Sequence, residues 1–342
     1  MSHLNAAIYD ATLENHLDLM RIDAGARHKI IELLKNLEDE LTSKVSVGMT
    51  AWSKARVAKQ LSEASAIIRQ YYDDAAGITH DTTTAAAQMS ASTTAESLSV
   101  AVGGSLGAGT LPTAAFMETV ADNTIIMGAT QASWWKRQSD DTAWRFLTQV
   151  RMGLTAGETG AQMAKRVKDT LGLSQRNAMV LVKTSVMSVA NETREKVFAD
   201  HSDIIDGVEW VATLDARTCP ACAVRDNKRW QQDGTPIDNS LPYRVPPIHF
   251  GDRCAMIPVL KSWFDLGIDL KEFPESTRAS MEGQVTDKSF EAFAARKGAA
   301  WQDDVLGKGR ADLWRRGVIT FDQLVDGSGN PLSLKTLTEK YG

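Results

Sequence analysis

Three cysteines and one of six histidines stand near one another in a chain of 342 residues that holds no other cysteine. Cys219 and Cys222 are spaced Cys-x2-Cys in Thr218-Cys219-Pro220-Ala221-Cys222. His249 and Cys254 are spaced His-x4-Cys in Pro246-Pro247-Ile248-His249-Phe250-Gly251-Asp252-Arg253-Cys254. Two close pairs of soft-to-borderline donors can grip one ion from two tight turns, so the entropy of closing the long loop between them is met once. The chemistry implied is Zn²⁺ held by Cys219, Cys222, His249 and Cys254. Four protein donors fill a tetrahedral shell and leave no position for water, which makes such a site structural rather than catalytic. A disulfide between Cys219 and Cys222 is the competing reading, but it leaves an odd cysteine. The opening Met1-Ser2-His3-Leu4-Asn5 also lacks the basic stretch and apolar core of an export signal, so we expect synthesis in a reducing cytoplasm. The third reading is three buried thiols beside a surface histidine.

These donors need elements to carry them. Val208, Trp210, Ala212 and Leu214 alternate with Glu209, Val211 and Thr213, which predicts a half-buried strand leading into the first cysteine pair. Asp226-Asn227-Lys228 signals a turn, Arg229-Trp230 begins a second strand, and Ala255 to Leu260 makes a third that Pro258 restricts to a sheet edge. The product is a small zinc-stapled β module over 208–260. A helix from about Gln175 to Asp200, capped by Ser174 and burying Met179, Val182, Val186, Val189 and Val197, delivers the chain to it.

A family resemblance rests on these residues. Lys183-Thr184-Ser185, Asn191-Glu192-Thr193-Arg194, Gly207-Val208-Glu209-Trp210, Leu214 to Cys222, Pro246-Pro247-Ile248-His249 and Arg253-Cys254 together resemble the phage head morphogenesis family. These are the Mu-F-like minor head proteins of tailed bacteriophages. Where that family reads His-Pro-x-Cys-Arg-Cys, Phe250 stands for the proline and Asp252 for the first cysteine, which leaves Cys254 as the late thiolate and Asp252 as an alternative ligand. The resemblance implies a minor virion protein at the portal vertex, acting in head assembly or genome packaging and ejection, without catalytic activity. Its partners would be the portal protein, other head proteins and phage DNA, in the virion head and, during assembly, the host cytoplasm.

Composition sets the outer bounds. Hydrophobic content of 43%, charged content of 24% and a formal net charge of −5 fit a globular protein of two or three domains and argue against a generic nucleic-acid coat. Ile30, Leu34, Leu37 and Leu41 form one apolar helical seam, and Val57, Leu61, Ala64, Ile68 and Tyr71 a second, giving a helical hairpin over 1–77 that serves as core or as a docking face. From Thr82 to Met117 the only charge is Glu96, and glycines cluster at 103–109. This predicts a helix-loop-helix within a low-charge region over 78–150. The uncharged span 98–117 is long enough to cross a bilayer but too glycine-rich and interrupted to do so spontaneously, so membrane contact through it is the lesser expectation.

Between Trp134 and Lys183 nine Lys or Arg face four acids, with Trp134, Trp135 and Trp144 among them. Lys136, Arg137, Lys165, Arg166 and Lys168, together with Arg315 and Arg316 of the tail, are the candidate nucleic-acid contacts, against the alternative of a solvated outer face. Thr155-x-x-Glu158 reads as a capping box. The core with the metal module spans 151–265, a linker 271–287 and a compact helical tail 288–342. In that tail Phe290, Phe293, Ala294, Trp301 and Leu306 suit one helix, Leu313-Trp314 a second ending at Gly317, and Thr320 caps a third. The fold class is therefore α+β and mostly α-helical: a helical N-terminal region, a small zinc-stapled β module and the tail.

Catalytic readings fare less well. A zinc deaminase needs His-x-Glu before Pro-Cys-x-x-Cys, whereas His201-Ser202-Asp203 lacks the glutamate and Pro220 lies inside the cysteine pair. A hydrolase would need a nucleophile elbow, and Gly307-Lys308-Gly309 lacks the spacing of a phosphate loop. The remaining alternative is a metal-dependent DNA-processing nuclease of a mobile element, for which His201, Asp215, Asp226 and Asp252 are the local candidates without a recognised spacing.

Overall fold

The computed structural model describes residues 3–46, 54–102, 112–261, 278–280, 283–285 and 289–342. The chain is mostly helical with one small antiparallel sheet, in keeping with the α+β expectation. Five helices come first: α1 (His3–Ser46), α2 (Lys54–Ala101), α3 (Ala114–Asn123), α4 (Gln131–Thr155) and α5 (Gly160–Asp200). The sheet region follows as β1 (Ile205–Val211), α6 (Pro220–Arg225), β2 (Arg229–Gln231), β3 (Pro236–Ile237) and β4 (Ala255–Leu260). After a two-stranded ribbon of β5 (Arg278–Ser280) and β6 (Gly283–Val285), the tail holds α7 (Phe290–Arg296), α8 (Ala299–Leu306), α9 (Lys308–Arg315), a 3-10 turn (Phe321–Leu324) and α10 (Leu334–Tyr341). Two compact units share these elements: Asp18–Ala87 with Ala115–Val189, and Met1–Leu17 with Gln88–Ala114 and Ala190–Gly342.

The first unit is a helical core. Ile30, Leu34, Leu37 and Leu41 are all buried in it, so this seam is core and not a docking face. On α2, Leu61, Ala64 and Ile68 join them, and the stripe continues through Tyr72 and Ala75 rather than through half-buried Tyr71. The Tyr72 hydroxyl shares a 2.8 Å hydrogen bond with Thr142, and its ring lies 6.1 Å from that of Trp135. Trp135, Phe146 and Val150 of α4 and Met163, Val167 and Leu171 of α5 complete the cluster.

Two capping expectations move. Thr155 ends α4, and its hydroxyl donates to its own i−4 carbonyl at Arg151. The cap of α5 is Thr159, four residues later: its N–H donates to Gln162 Oε1 at 2.9 Å, and Gln162 N–H returns to Thr159 Oγ1. Ser174 caps nothing, because α5 runs through it unbroken, and its hydroxyl shares a 3.0 Å bond with Thr142.

Low charge does not end α2 at Thr82, since Ala86, Ala87, Ala91 and Ala95 pack and the hydroxyls of Thr79 and Thr82 donate to the carbonyls of Ala75 and Ile78. The glycine cluster at 103–109 lies outside the described residues, as do residues 103–111 of the span 98–117 and most of the linker 271–287. Among the described residues no helix is long and apolar enough to cross a membrane.

In the second unit the sheet order is β3-β2-β1-β4, all antiparallel, with Val208 opposite both Trp230 and Pro258. Pro258 does sit on an outer strand, and Pro236 begins the other. Gly207 permits close strand approach: a Cβ there would lie 2.4 Å from the Trp230 carbonyl oxygen. Tyr9 and Leu13 of α1 pack on Val211 and Ile257. Arg194 is fully buried with no carboxylate paired to it among the described residues, donating to Asn15 Oδ1 and Asn191 Oδ1, and burial lowers its pKa to about 10. In the tail, Gly298 splits the expected 290–306 helix into α7 and α8, and Thr320 forms the expected cap, a capping box with Gln323.

Candidate metal centre

The first donor pair rides on α6. Cys219 is its N-cap in extended conformation, Pro220 fills the first helical position where no N–H is needed, and the Cys219 carbonyl accepts from Ala223 N–H at 2.9 Å. The side chain of Cys219 makes no capping bond. One turn of helix brings Cys222 to the same side, so a tight turn becomes a short helix with both sulfurs facing one way.

The second pair hangs from a loop that Asp252 shapes. Its Oδ2 accepts from Ile248 N–H and its Oδ1 from Cys254 N–H, each at 2.9 Å. The His249 ring is oriented by Nδ1, 3.0 Å from the Phe250 carbonyl oxygen; with Nδ1 donating there, Nε2 keeps its lone pair for a ligand. Nε2 lies 3.2 Å from Cys219 Sγ and 3.3 Å from Cys222 Sγ. Bonds of ordinary length in a tetrahedral zinc shell place sulfur and nitrogen about 3.5 Å apart, so this separation needs only a small adjustment.

Among the described residues two groups could hold a metal ion: Cys219, Cys222 and His249 form one, and Cys222, Asp252 and Cys254 the other. They share Cys222 and line a cavity of about 10 Å³, room for one ion or water. All three cysteines are free thiols.

The two loops are braced behind the donors. Arg253 grips Asp215 with both nitrogens, at 2.5 and 2.6 Å, and Thr213 Oγ1 donates to the Arg253 carbonyl at 3.0 Å. Asn191 on α5 donates to the Cys254 carbonyl at 3.2 Å and accepts from Met256 N–H at 3.4 Å, which fixes the start of β4.

Charge in the cluster is uneven. Hydrogen bonding from Cys222, then from His249, lowers the Cys219 thiol to about 4 against the effect of burial, and the bond to Cys219 raises His249 to about 9. Cys222 is raised, first because its thiol donates to Cys219, and burial pushes Cys254 up to about 12. Without a cation the cluster accommodates thiolate charge at Cys219 and resists it at the two buried sulfurs. A divalent ion removes that resistance, because it replaces the thiol protons and pairs the buried charge. The donor set therefore fits a thiolate-binding metal.

The nuclease candidates are committed elsewhere. Asp215 is paired with Arg253, and the two oxygens of Asp226 accept from Ala212 and Phe290 N–H. Those of Asp252 hold its own loop, and buried His201 sets Nδ1 against the Val197 carbonyl.

Among the nucleic-acid candidates, Lys136 pairs with Asp140, Arg166 with Glu158, Lys168 with Glu38, Arg315 with Asp303 and Arg316 with Asp312. Arg137 lies 5.7 Å over the Trp134 ring, and Lys165 is exposed. The bracing residues Asn191, Asp215 and Arg253 fall within the runs that carry the family resemblance. Burial of Arg194 and Arg225 had no signal in the sequence, since arginines of this kind are mostly at the surface.

No curated protein and no solved structure matches the chain. Residues 145–257 match the family model described as Phage Mu protein F like protein. That span holds all five candidate ligands, the Asn191–Arg194 run and the bracing pair of Asp215 and Arg253, and the match supports the resemblance to the phage head morphogenesis family.

Proposed function

We propose that this chain is a minor head protein of a tailed phage, seated near the portal vertex and acting in head assembly and in genome packaging and ejection. Its Mu-F-like region folds around one structural Zn²⁺ held by Cys219, Cys222, His249 and Cys254. The observation that carries this reading is the meeting of Cys219 and Cys222 on α6 with His249 on a second loop, inside the family-matched span. Asp252 is the loop's organiser rather than a ligand, because both of its oxygens accept backbone N–H groups. The ion adds folding free energy to that of the module's own apolar core, which includes Val208, Trp210, Trp230, Met256 and Ile257.

With four protein donors no position is open for substrate or water, so the protein has no catalytic role at this centre. Its partners are the portal and neighbouring head proteins, and phage DNA is met through Arg137 and Lys165 on the helical unit. Elemental analysis of the purified chain should find one zinc, and co-purification with portal oligomers should survive nuclease treatment. Metal-free protein, or a portal association that nuclease abolishes, would overturn the respective half of this assignment. Sustained plasmid nicking with Mg²⁺ that is lost in Asp215→Ala would favour the nuclease alternative.

A further inference from the structure

Helix α6 serves two ends of the chain. Its first turn carries Cys219 and Cys222; its last residue and the turn after it hold the tail. Arg225 is fully buried, and its Nη1 donates to the Gly329 carbonyl and to the Ala221 carbonyl, each at 3.4 Å. Asp226 accepts from Ala212 N–H at the end of β1 (2.8 Å) and from Phe290 N–H at the start of α7 (2.7 Å). Lys228 pairs with Asp322 at 3.1 Å. Gly329 adopts φ +77, and a Cβ there would lie 2.3 Å from the guanidinium nitrogens, so the tail loop rests directly on Arg225.

The Arg225 guanidinium is incompletely satisfied. Its Nε and Nη2 have no hydrogen-bond partner among the described residues, and its carbon lies 5.9 Å over the Trp210 ring. No carboxylate is salt-bridged to it among the described residues; burial first, then Arg244, works against its charge and lowers its pKa, and the groups that favour the charge are Cys222, Cys219 and Asp252 of the donor cluster. A divalent ion with three thiolates and a neutral imidazole has one net negative charge. A buried arginine one helical turn from Cys222 is a fitting counter-charge for it, and a buried charge without its opposite is strongly destabilising.

We propose that metal occupancy and docking of the tail, residues 289–342, are coupled through α6, with Arg225 as the positioning residue that joins them. This rests on the zinc reading above. The ion fixes α6, α6 presents Arg225 and Asp226, and these hold the 326–331 loop and the start of α7. Coupling of this kind is reciprocal, so whatever loosens the tail weakens metal binding by the same factor, although no tail residue is among the donors.

The test uses the full chain. Zinc content is measured first, then amide hydrogen exchange with and without a chelator, then zinc affinity by competition with a chromophoric chelator for wild type, Gly329→Ala, Arg225→Met and Arg225→Lys. Chelation should speed exchange at Phe290–Ala294 and Asp326–Leu332 while the α4 amides from Ala143 to Val150 stay slow. Gly329→Ala should loosen the tail and weaken zinc binding by about five- to 150-fold. Arg225→Met should do the same, with partial recovery in Arg225→Lys. If zinc is present and removable but tail exchange does not change, the coupling is wrong and the zinc reading stands. The same holds if Gly329→Ala frees the tail at wild-type zinc affinity, or if chelation opens α4 together with the tail. A chain that takes up no zinc overturns both.

Discussion

In the helical unit a seam from Ile30 to Leu41 meets Trp135, Phe146, Met163 and Val167, and many apolar side chains share the work of holding α1, α2, α4 and α5 together. In the sheet-bearing unit the candidate metal module adds polar clamps to the apolar packing of residues such as Val208, Trp210, Trp230 and Ile257. Its strands are two to seven residues long, and its loops are set by Asp252, by the Asp215–Arg253 pair and by Asn191. Distributed apolar burial degrades gradually when one contributor is removed. A clamp of a few polar groups around one ion fails all at once, because each donor is needed and each orphaned partner is buried.

The largest expected effect comes from Cys222→Ser, since this sulfur belongs to both donor groups. Zinc content should fall to background and the module should lose metal-linked folding free energy on the order of 10 kcal/mol. Tryptophan fluorescence of Trp210 and Trp230 should report loss of the module while most far-UV helical signal persists. Wild-type zinc content in this variant would remove the basis of the contrast.

The counterpart is Phe146→Ala in the helical unit, expected to cost about 3–5 kcal/mol by chemical denaturation and to leave zinc stoichiometry unchanged. Equal damage to both units would mean that they do not differ in kind.

A smaller effect separates polar from apolar burial by pH. Burial raises the Glu195 carboxyl from an ordinary 4.5 to about 7, partly offset by its hydrogen bond from Tyr243, and Glu195 Oε1 has no partner among the described residues. The folded state therefore keeps a proton that the unfolded chain releases. That contribution is complete below pH 4.5 and is lost as pH rises through about 7. Glu195→Gln should stabilise the protein at pH 8 by on the order of 1–3 kcal/mol and be neutral near pH 4. An advantage that does not vary with pH would refute the raised carboxyl.

The smallest effect distinguishes two neighbouring threonines. Thr159→Ala should lose about 1 kcal/mol from the start of α5, and Thr155→Ala, whose hydroxyl serves only its own helix, much less. The reverse ranking would return the cap to Thr155.

What the sequence revealed divides along physical lines. The close approach of Cys219, Cys222 and His249 was legible because residue type and spacing mark potential donors, and the outer position of β4 because proline cannot donate. Helical seams were legible through period, although Tyr72 displaced Tyr71 once the partner face was fixed. The start of α5 was not legible from pattern alone: Thr155-x-x-Glu158 and Thr159-x-x-Gln162 carry the same signature side by side, and Glu158 is drawn to Arg166 instead. Ser174 looked like a cap because serine often is one, but a tertiary hydroxyl partner at Thr142 kept it inside the helix. The bond from Arg225 to Gly329 joins positions 104 residues apart, a separation at which composition and period carry no information.

Pro258 and Pro236 border the sheet on opposite sides. Since Lys261 N–H reaches inward to the Ile204 carbonyl, alternation along β4 turns the nitrogen of Pro258 outward, to the side where an incoming strand would seek a donor. Neither border offers a full row of hydrogen-bonding groups to a foreign strand. Copies of this chain brought together at high local concentration are thus discouraged from splicing their sheets into a fibre.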